Sequence, residues 1–134
     1  MKKILVFGTF DGLHEGHKNF FKQAKEFGEH LVVVVGRDST IVKTKGRPPK
    51  FNEKERLKAV QEALHIDEAH LGNEGNDPYK VIEEIKPDII CLGYDQTHFT
   101  DKLEVKLKEM GLSVEIKRLK AYQPQKYHSS ILNK

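Results

Sequence analysis

Two histidines three positions apart, His14 and His17, stand in a frame of three glycines, Gly8, Gly12 and Gly16, directly behind the apolar run Ile4-Leu5-Val6-Phe7. A neutral imidazole donates one hydrogen bond and a protonated one also neutralises charge, so a close pair suits a ligand rich in anionic oxygen. Glycines let backbone come near such a ligand where a Cβ would stand in the way. A strand that hands over to a helix exposes the unpaired amides of the helix start, which is where α/β folds hold phosphate. Frame, pair and position agree on a phosphate chain as the guest. The bland alternative is that the histidines cap the helix and bond to backbone, which suits a lone histidine better than a pair in this frame. Asp11, in the same segment, is the nearest carboxylate for a cation and is equally suited to bonding with nearby backbone.

The elements that must position this segment follow from the hydrophobic pattern. Apolar runs of strand length occur at 4–7, 31–35 and 89–92, with an alternating stretch at 112–119. Continuous apolar runs suit strands covered on both faces, as in a parallel sheet. Between them, Phe20, Ala24 and Phe27 share a helix face ended by Gly28. Leu57, Val60 and Leu64 share another, opened by the capping-box-like Asn52-x-x-Glu55, and Leu103, Leu107 and Met110 a third, stopped by Gly111. A weaker helix is predicted over Pro78–Ile85, before Lys86-Pro87. Such alternation predicts an α/β fold with one doubly wound parallel sheet and ligands at the carboxyl ends of its strands. Arg37–Phe51, with Lys43, Lys45, Gly46, Arg47, Pro48, Pro49 and Lys50, is expected to be an irregular, functional loop.

The chain has 134 residues and no break in composition, which predicts a single domain over 1–134. Lys plus Arg (23) exceed Asp plus Glu (20) by three, so no polybasic stripe for nucleic acid is expected and small anionic ligands fit better. The one cysteine, Cys91, sits in Ile89-Ile90-Cys91-Leu92 and is expected to pack as a small apolar side chain. A single cysteine excludes a disulfide framework within the chain. The four apolar residues before Gly8 are too few for a signal-peptide core, and no stretch has the length of a membrane span, so a cytoplasmic location without membrane partners is expected.

Gly8-Thr9-Phe10-Asp11 followed by His14-x-Gly16-His17 resembles the signature of the cytidylyltransferase-like nucleotidyltransferases, which include glycerol-3-phosphate cytidylyltransferases and archaeal FAD synthases. The resemblance continues through Lys43-x-Lys45-Gly46-Arg47 into Glu53-x-x-Arg56-Leu57, similar to the family's lysine loop and following helix. It extends through Leu92-Gly93-Tyr94-Asp95-Gln96, similar to its nucleotide-holding strand end, and His128-Ser129-Ser130-Ile131, similar to its last Ser/Thr motif. Gly93-x-Asp95-Gln96-Thr97 and the ending Tyr122 … His128-Ser129-Ser130 are closer to the archaeal FAD synthases, and the Arg-Thr-Glu-Gly run of the glycerol-phosphate enzymes is absent. Where that archaeal family carries cysteines, this chain reads Gln123-Pro124-Gln125-Lys126-Tyr127.

The resemblance implies a Rossmann-like nucleotidyltransferase fold and transfer of AMP from ATP to FMN with loss of pyrophosphate. It leaves CTP with a small phosphate ester, or a non-catalytic nucleotide-binding regulator, as alternatives. It implies catalysis by His14, His17, Lys43 and Lys45. Nucleotide contacts are implied for Thr9, Phe10, His14, Glu15, Gly16, His17, Asp95, Tyr122, Ser129 and Ser130. A divalent cation, Mg²⁺, is expected on the triphosphate, and a homodimer is in keeping with small members of the class. Each residue also has a plainer role open to it. Lys43 and Lys45 suit solvated charges, Arg56 an exposed ion pair with Glu53 or Asp67, Asp95 a turn, Ser129 and Ser130 a helix cap, and Tyr122 a cover for the core edge. His30, His65, His70 and His98 have no motif around them and are expected to be structural or surface residues.

Overall fold

In the computed structural model, which describes residues 2–72, 78–93 and 103–119, the apolar runs form the centre of one parallel sheet. The strands are β1 (Lys3–Gly8), β2 (His30–Val35), β3 (Glu68–Leu71), β4 (Ile89–Leu92) and β5 (Glu115–Arg118), in the order β3-β2-β1-β4-β5, every neighbouring pair parallel. The helices are α1 (Glu15–Lys25), α2 (Asp38–Lys45), α3 (Glu53–Gln61), α4 (Pro78–Ile85) and α5 (Leu103–Glu109). Alternate strand residues feed the two faces. Ile4, Val6, Leu31, Val33 and Cys91 pack with Phe21 and Ala24 of α1 and Val60 of α3. Leu5, Val32, Val34, Ile90 and Leu92 pack with Ile82 of α4 and Leu103 and Leu107 of α5. Burial on both faces is why β1, β2 and β4 read as unbroken apolar runs, and each fully buried side chain of this size contributes about 1.5–3 kcal/mol.

The chain builds outward from β1 to β2 and β3, then returns across the sheet to β4 and β5 on the other side of β1. The order therefore reverses between β1 and β4, with Val6 beside Cys91. In an open doubly wound sheet that reversal leaves a crevice beyond the carboxyl ends of the two strands, here Gly8 and Leu92. The Rossmann-like architecture thus places the glycine-histidine segment, which follows β1, at the crevice.

Three expectations need correction, and one strand was not foreseen. Arg37–Phe51 is not irregular throughout: Asp38–Lys45 is α2, closed by Gly46 in a left-handed conformation (φ 75°) whose amide donates to the Val42 carbonyl. β3 has no apolar run to announce it, because as an edge strand it buries one side chain, Ala69. The stretch 112–119 contracts to β5, and α3 ends at Gln61, leaving Leu64 beyond the helix and 80% exposed. Cys91 is buried as expected, and desolvation pushes its thiol up to about 12, so it stays protonated. No helix among the described residues is long and apolar enough to cross a membrane.

Candidate active site

Each residue of the segment after β1 has a distinct structural reason. Phe10 adopts a left-handed backbone (φ 53°), uncommon for a bulky side chain and costing on the order of 1–3 kcal/mol, and its ring turns inward to 4% exposure. A Cβ on Gly8 would lie 2.4 Å from Cζ of that ring, so Gly8 makes room for Phe10. The Gly12 amide donates to the Phe10 carbonyl at 3.0 Å, folding the chain back toward α1. His14 is the N-cap of α1, its Nδ1 accepting from the Gly16 amide at 2.9 Å, and a Cβ on Gly16 would sit 2.7 Å from the His14 ring. His17 closes the reciprocal half of the capping box, its Nδ1 accepting from the His14 amide at 3.3 Å.

The two imidazoles stack with centroids 3.9 Å apart and planes 23° from parallel. Since each Nδ1 accepts a backbone N–H, the neutral ring must carry its proton on Nε2. The pair thus presents two Nε2–H donors side by side above the start of α1. Capping, set against ligand binding in the sequence, does not exclude it, because capping uses one nitrogen of each ring. Burial, with the neighbouring His14 acting in the same sense, lowers the His17 pKa to about 4, so in the free protein His17 is a neutral donor at physiological pH.

Around the pair lies a buried scaffold. Arg56 of α3, 1% exposed, donates to the carbonyls of Thr9 (2.9 Å), Gly36 (2.7 Å) and Phe51 (3.0 Å) and to the Asp38 carboxylate (2.6 Å). One guanidinium therefore joins the ends of β1 and β2 to the starts of α2 and α3. The expected exposed ion pair of Arg56 with Glu53 or Asp67 does not form. Glu53 accepts from the Asp38 amide at 3.0 Å and from Arg37 at 3.4 Å, while Asp67 accepts from Lys25 and from the Leu31 amide. Asp11 takes the backbone role left open for it, its two oxygens accepting from the amides of Lys50 (2.7 Å) and Phe51 (2.8 Å). It ties the histidine loop to the segment between α2 and α3.

Thr9 lends its carbonyl to Arg56, the Phe10 ring points inward, and Glu15, first residue of α1, pairs at the surface with Lys18 at 3.5 Å. Lys43 is exposed on α2 and Lys45 ends that helix. Asp95, Tyr122, Ser129, Ser130 and His98 lie outside the described residues. His30 and His70 both meet Glu68 at the sheet edge, away from the crevice. Asp38 and Glu53, absent from the expected site, are the supports sequence reasoning missed. Their signals were an acid in the first turn of a helix ending at Gly46 and an acid opening the Asn52-capped helix.

The profile of the family described as Cytidylyltransferase-like matches residues 5–134. The chain belongs to that family. Among its relatives is the FAD synthase of Methanobrevibacter smithii, 44% identical over 133 residues, covering 97% of this chain and 86% of that one. The FAD synthase of Thermoplasma volcanium is 42% identical over 134 residues, covering 100% of this chain and 93% of the relative. A solved structure from Thermoplasma volcanium GSS1, described as a lipopolysaccharide core biosynthesis protein, superposes with a TM-score of 0.85 at 42% identity, over 92% of this chain and 99% of that one. Membership of the cytidylyltransferase-like family makes the chain a nucleotidyltransferase.

Proposed function

We propose that this nucleotidyltransferase is an FAD synthase, joining the AMP moiety of ATP to FMN and releasing pyrophosphate. The observation that carries the substrate choice is the 42% identity with an FAD synthase across all of this chain. An oxygen of the FMN phosphate forms a bond to the α-phosphorus of ATP while the bond from that phosphorus to the β-phosphate oxygen breaks. The attacking oxygen is already anionic at neutral pH, so the protein need supply no nucleophile and no strong base. Its work is to orient the reactants and to stabilise charge on the α-phosphate and the departing pyrophosphate.

The Nε2–H groups of His14 and His17 are assigned to that charge, in support of which stand their stacking and the commitment of both Nδ1 atoms to backbone. A preorganised donor of this type is worth about 2.7–4 kcal/mol in the transition state. Lys43 and Lys45 of α2 add positive charge toward the triphosphate. Asp95, Tyr122, Ser129 and Ser130 complete the nucleotide contacts in this proposal, and FMN and ATP are the small-molecule partners. Mg²⁺ in this proposal would be held on the triphosphate with few protein ligands, where it would offset phosphate charge. No step above is routed through the ion.

Pyrophosphate release measured over a matrix of ATP and CTP against FMN, glycerol 3-phosphate and phosphopantetheine tests the assignment. The expected reactive pair is ATP with FMN. Turnover with CTP and glycerol 3-phosphate, and none with FMN, would overturn the substrate choice and leave the nucleotidyltransferase assignment standing.

A further inference from the structure

Phe10 does more than fill space. Its ring, buried beneath Gly8, meets the His17 ring edge-on, with centroids 5.4 Å apart and planes 75° apart, and the Phe21 ring at 5.2 Å on its other side. Its left-handed backbone is what directs the ring inward at this point of the loop. His17 is thus held between His14, stacked on it at 3.9 Å, and Phe10, set against it nearly at right angles. Contacts in two different planes restrict how far the ring can turn its Nε2 edge, and one of the two is apolar.

We propose that Phe10 is a positioning residue for the nucleotidyl transfer, acting through His17 by fixing the orientation of its ring. The proposal rests on the reading of His17 as a phosphate donor. Of the titratable groups around His17 among the described residues, His14 acts on it directly and in the same sense as burial. Asp11, from the same loop, faces the amides of Lys50 and Phe51, while Glu15 and Lys18 of α1 pair with each other at the surface. Among the described residues burial and His14 are what act on the His17 titration, and the Phe10 ring supplies an apolar contact to it.

The test compares Phe10→Leu with Phe21→Leu, which removes a neighbouring ring from the same core but not the ring against His17. Histidine titration by NMR in the free proteins, with no substrate present, is expected to show the His17 pKa moving up from about 4 in Phe10→Leu, whose shorter side chain uncovers an edge of the imidazole, and staying in place in Phe21→Leu. In the transfer assay Phe10→Leu is expected to lose roughly tenfold or more in kcat with KM little changed, a loss that Phe21→Leu does not show. A His17 titration unmoved in Phe10→Leu overturns the proposal. A raised pKa with unchanged kcat supports the positioning contact and overturns the catalytic reading of His17, so the two failures are distinct. Should Phe10→Leu not fold, the wild-type protein decides. Cross-relaxation between the Phe10 and His17 ring protons is expected, and its absence overturns the contact.

Discussion

Replacing Arg56 by Met keeps an apolar stem of similar length in a buried site and removes every donor of the guanidinium. The side chain is 1% exposed and makes four hydrogen bonds, three to carbonyls and one to the Asp38 carboxylate. Hydrogen bonds from a charged donor are worth about 1.5–3 kcal/mol each, but their sum overstates the loss, because acceptors that reach water recover part of it. Asp38 has a side chain 39% exposed and Phe51 is exposed, so those two acceptors rehydrate, while the carbonyls of Thr9 and Gly36 are less open. Leaving those two carbonyls without a donor costs about 1–3 kcal/mol each, centred on about 4 kcal/mol together. That is a large part of the roughly 5–15 kcal/mol available to a domain, and lowers Tm by about 10–15 °C at about 3 °C per kcal/mol. Urea denaturation of wild type, Arg56→Met and Arg56→Lys measures it, with Arg56→Lys recovering less than half because an ammonium cannot span the four acceptors. An unfolding free energy for Arg56→Met within about 1 kcal/mol of wild type at equal m-value would refute the assignment of Arg56 as the joint of the site.

His17→Ala is expected to lower kcat by on the order of a hundredfold or more with little change in folding stability, read by steady-state kinetics beside a thermal melt. Burial holds the folded-state pKa of His17 near 4, below the ordinary 6.5 of an exposed imidazole, so its neutral form contributes stability that is complete above pH 6.5 and lost as pH falls toward 4. The loss has a slope of at most about 1.4 kcal/mol per pH unit, and a urea titration series in which His17→Gln is flatter than wild type over that window checks it. Asp11→Ala is expected to free the segment around Lys50 and Phe51 and to speed tryptic cleavage between Lys43 and Lys50, with ATP and Mg²⁺ restoring protection less than in wild type. Equal cleavage rates would remove Asp11 from that role.

The central strands and the glycine-histidine segment were legible because both depend on local signals. Burial on two faces wrote β1, β2 and β4 as apolar runs, Asn52 and Glu55 announced α3 through a capping box that the structure contains, and Gly111 ended α5 in a left-handed turn (φ 71°). β3 stayed hidden because an edge strand with one buried side chain needs no pattern. α2 was obscured by Thr40, Ile41 and Val42, poor helix formers on average, and by Pro48 and Pro49 just beyond it. His14 and His17 were legible as a pair. That each ring would cap α1 through Nδ1, and so present Nε2, was not, because it depends on where a Gly16 without a side chain lets the His14 ring lie. Arg56 was misjudged for a related reason: its partners Thr9, Gly36 and Asp38 are 47, 20 and 18 positions away, and no spacing rule links a side chain to carbonyls at that distance.

The most direct measurement is a single-turnover reaction of excess enzyme with ATP labelled at the α-phosphorus, in the presence of FMN, in wild type and in the His14→Ala/His17→Ala double variant. The label is expected in FAD with wild type, matched by one pyrophosphate per FAD formed. The folded double variant is expected to transfer it more slowly by on the order of a hundredfold or more. Label reaching FAD at the wild-type rate without either imidazole would contradict the account, as would a wild-type enzyme that leaves FMN unreacted while transferring CMP to glycerol 3-phosphate.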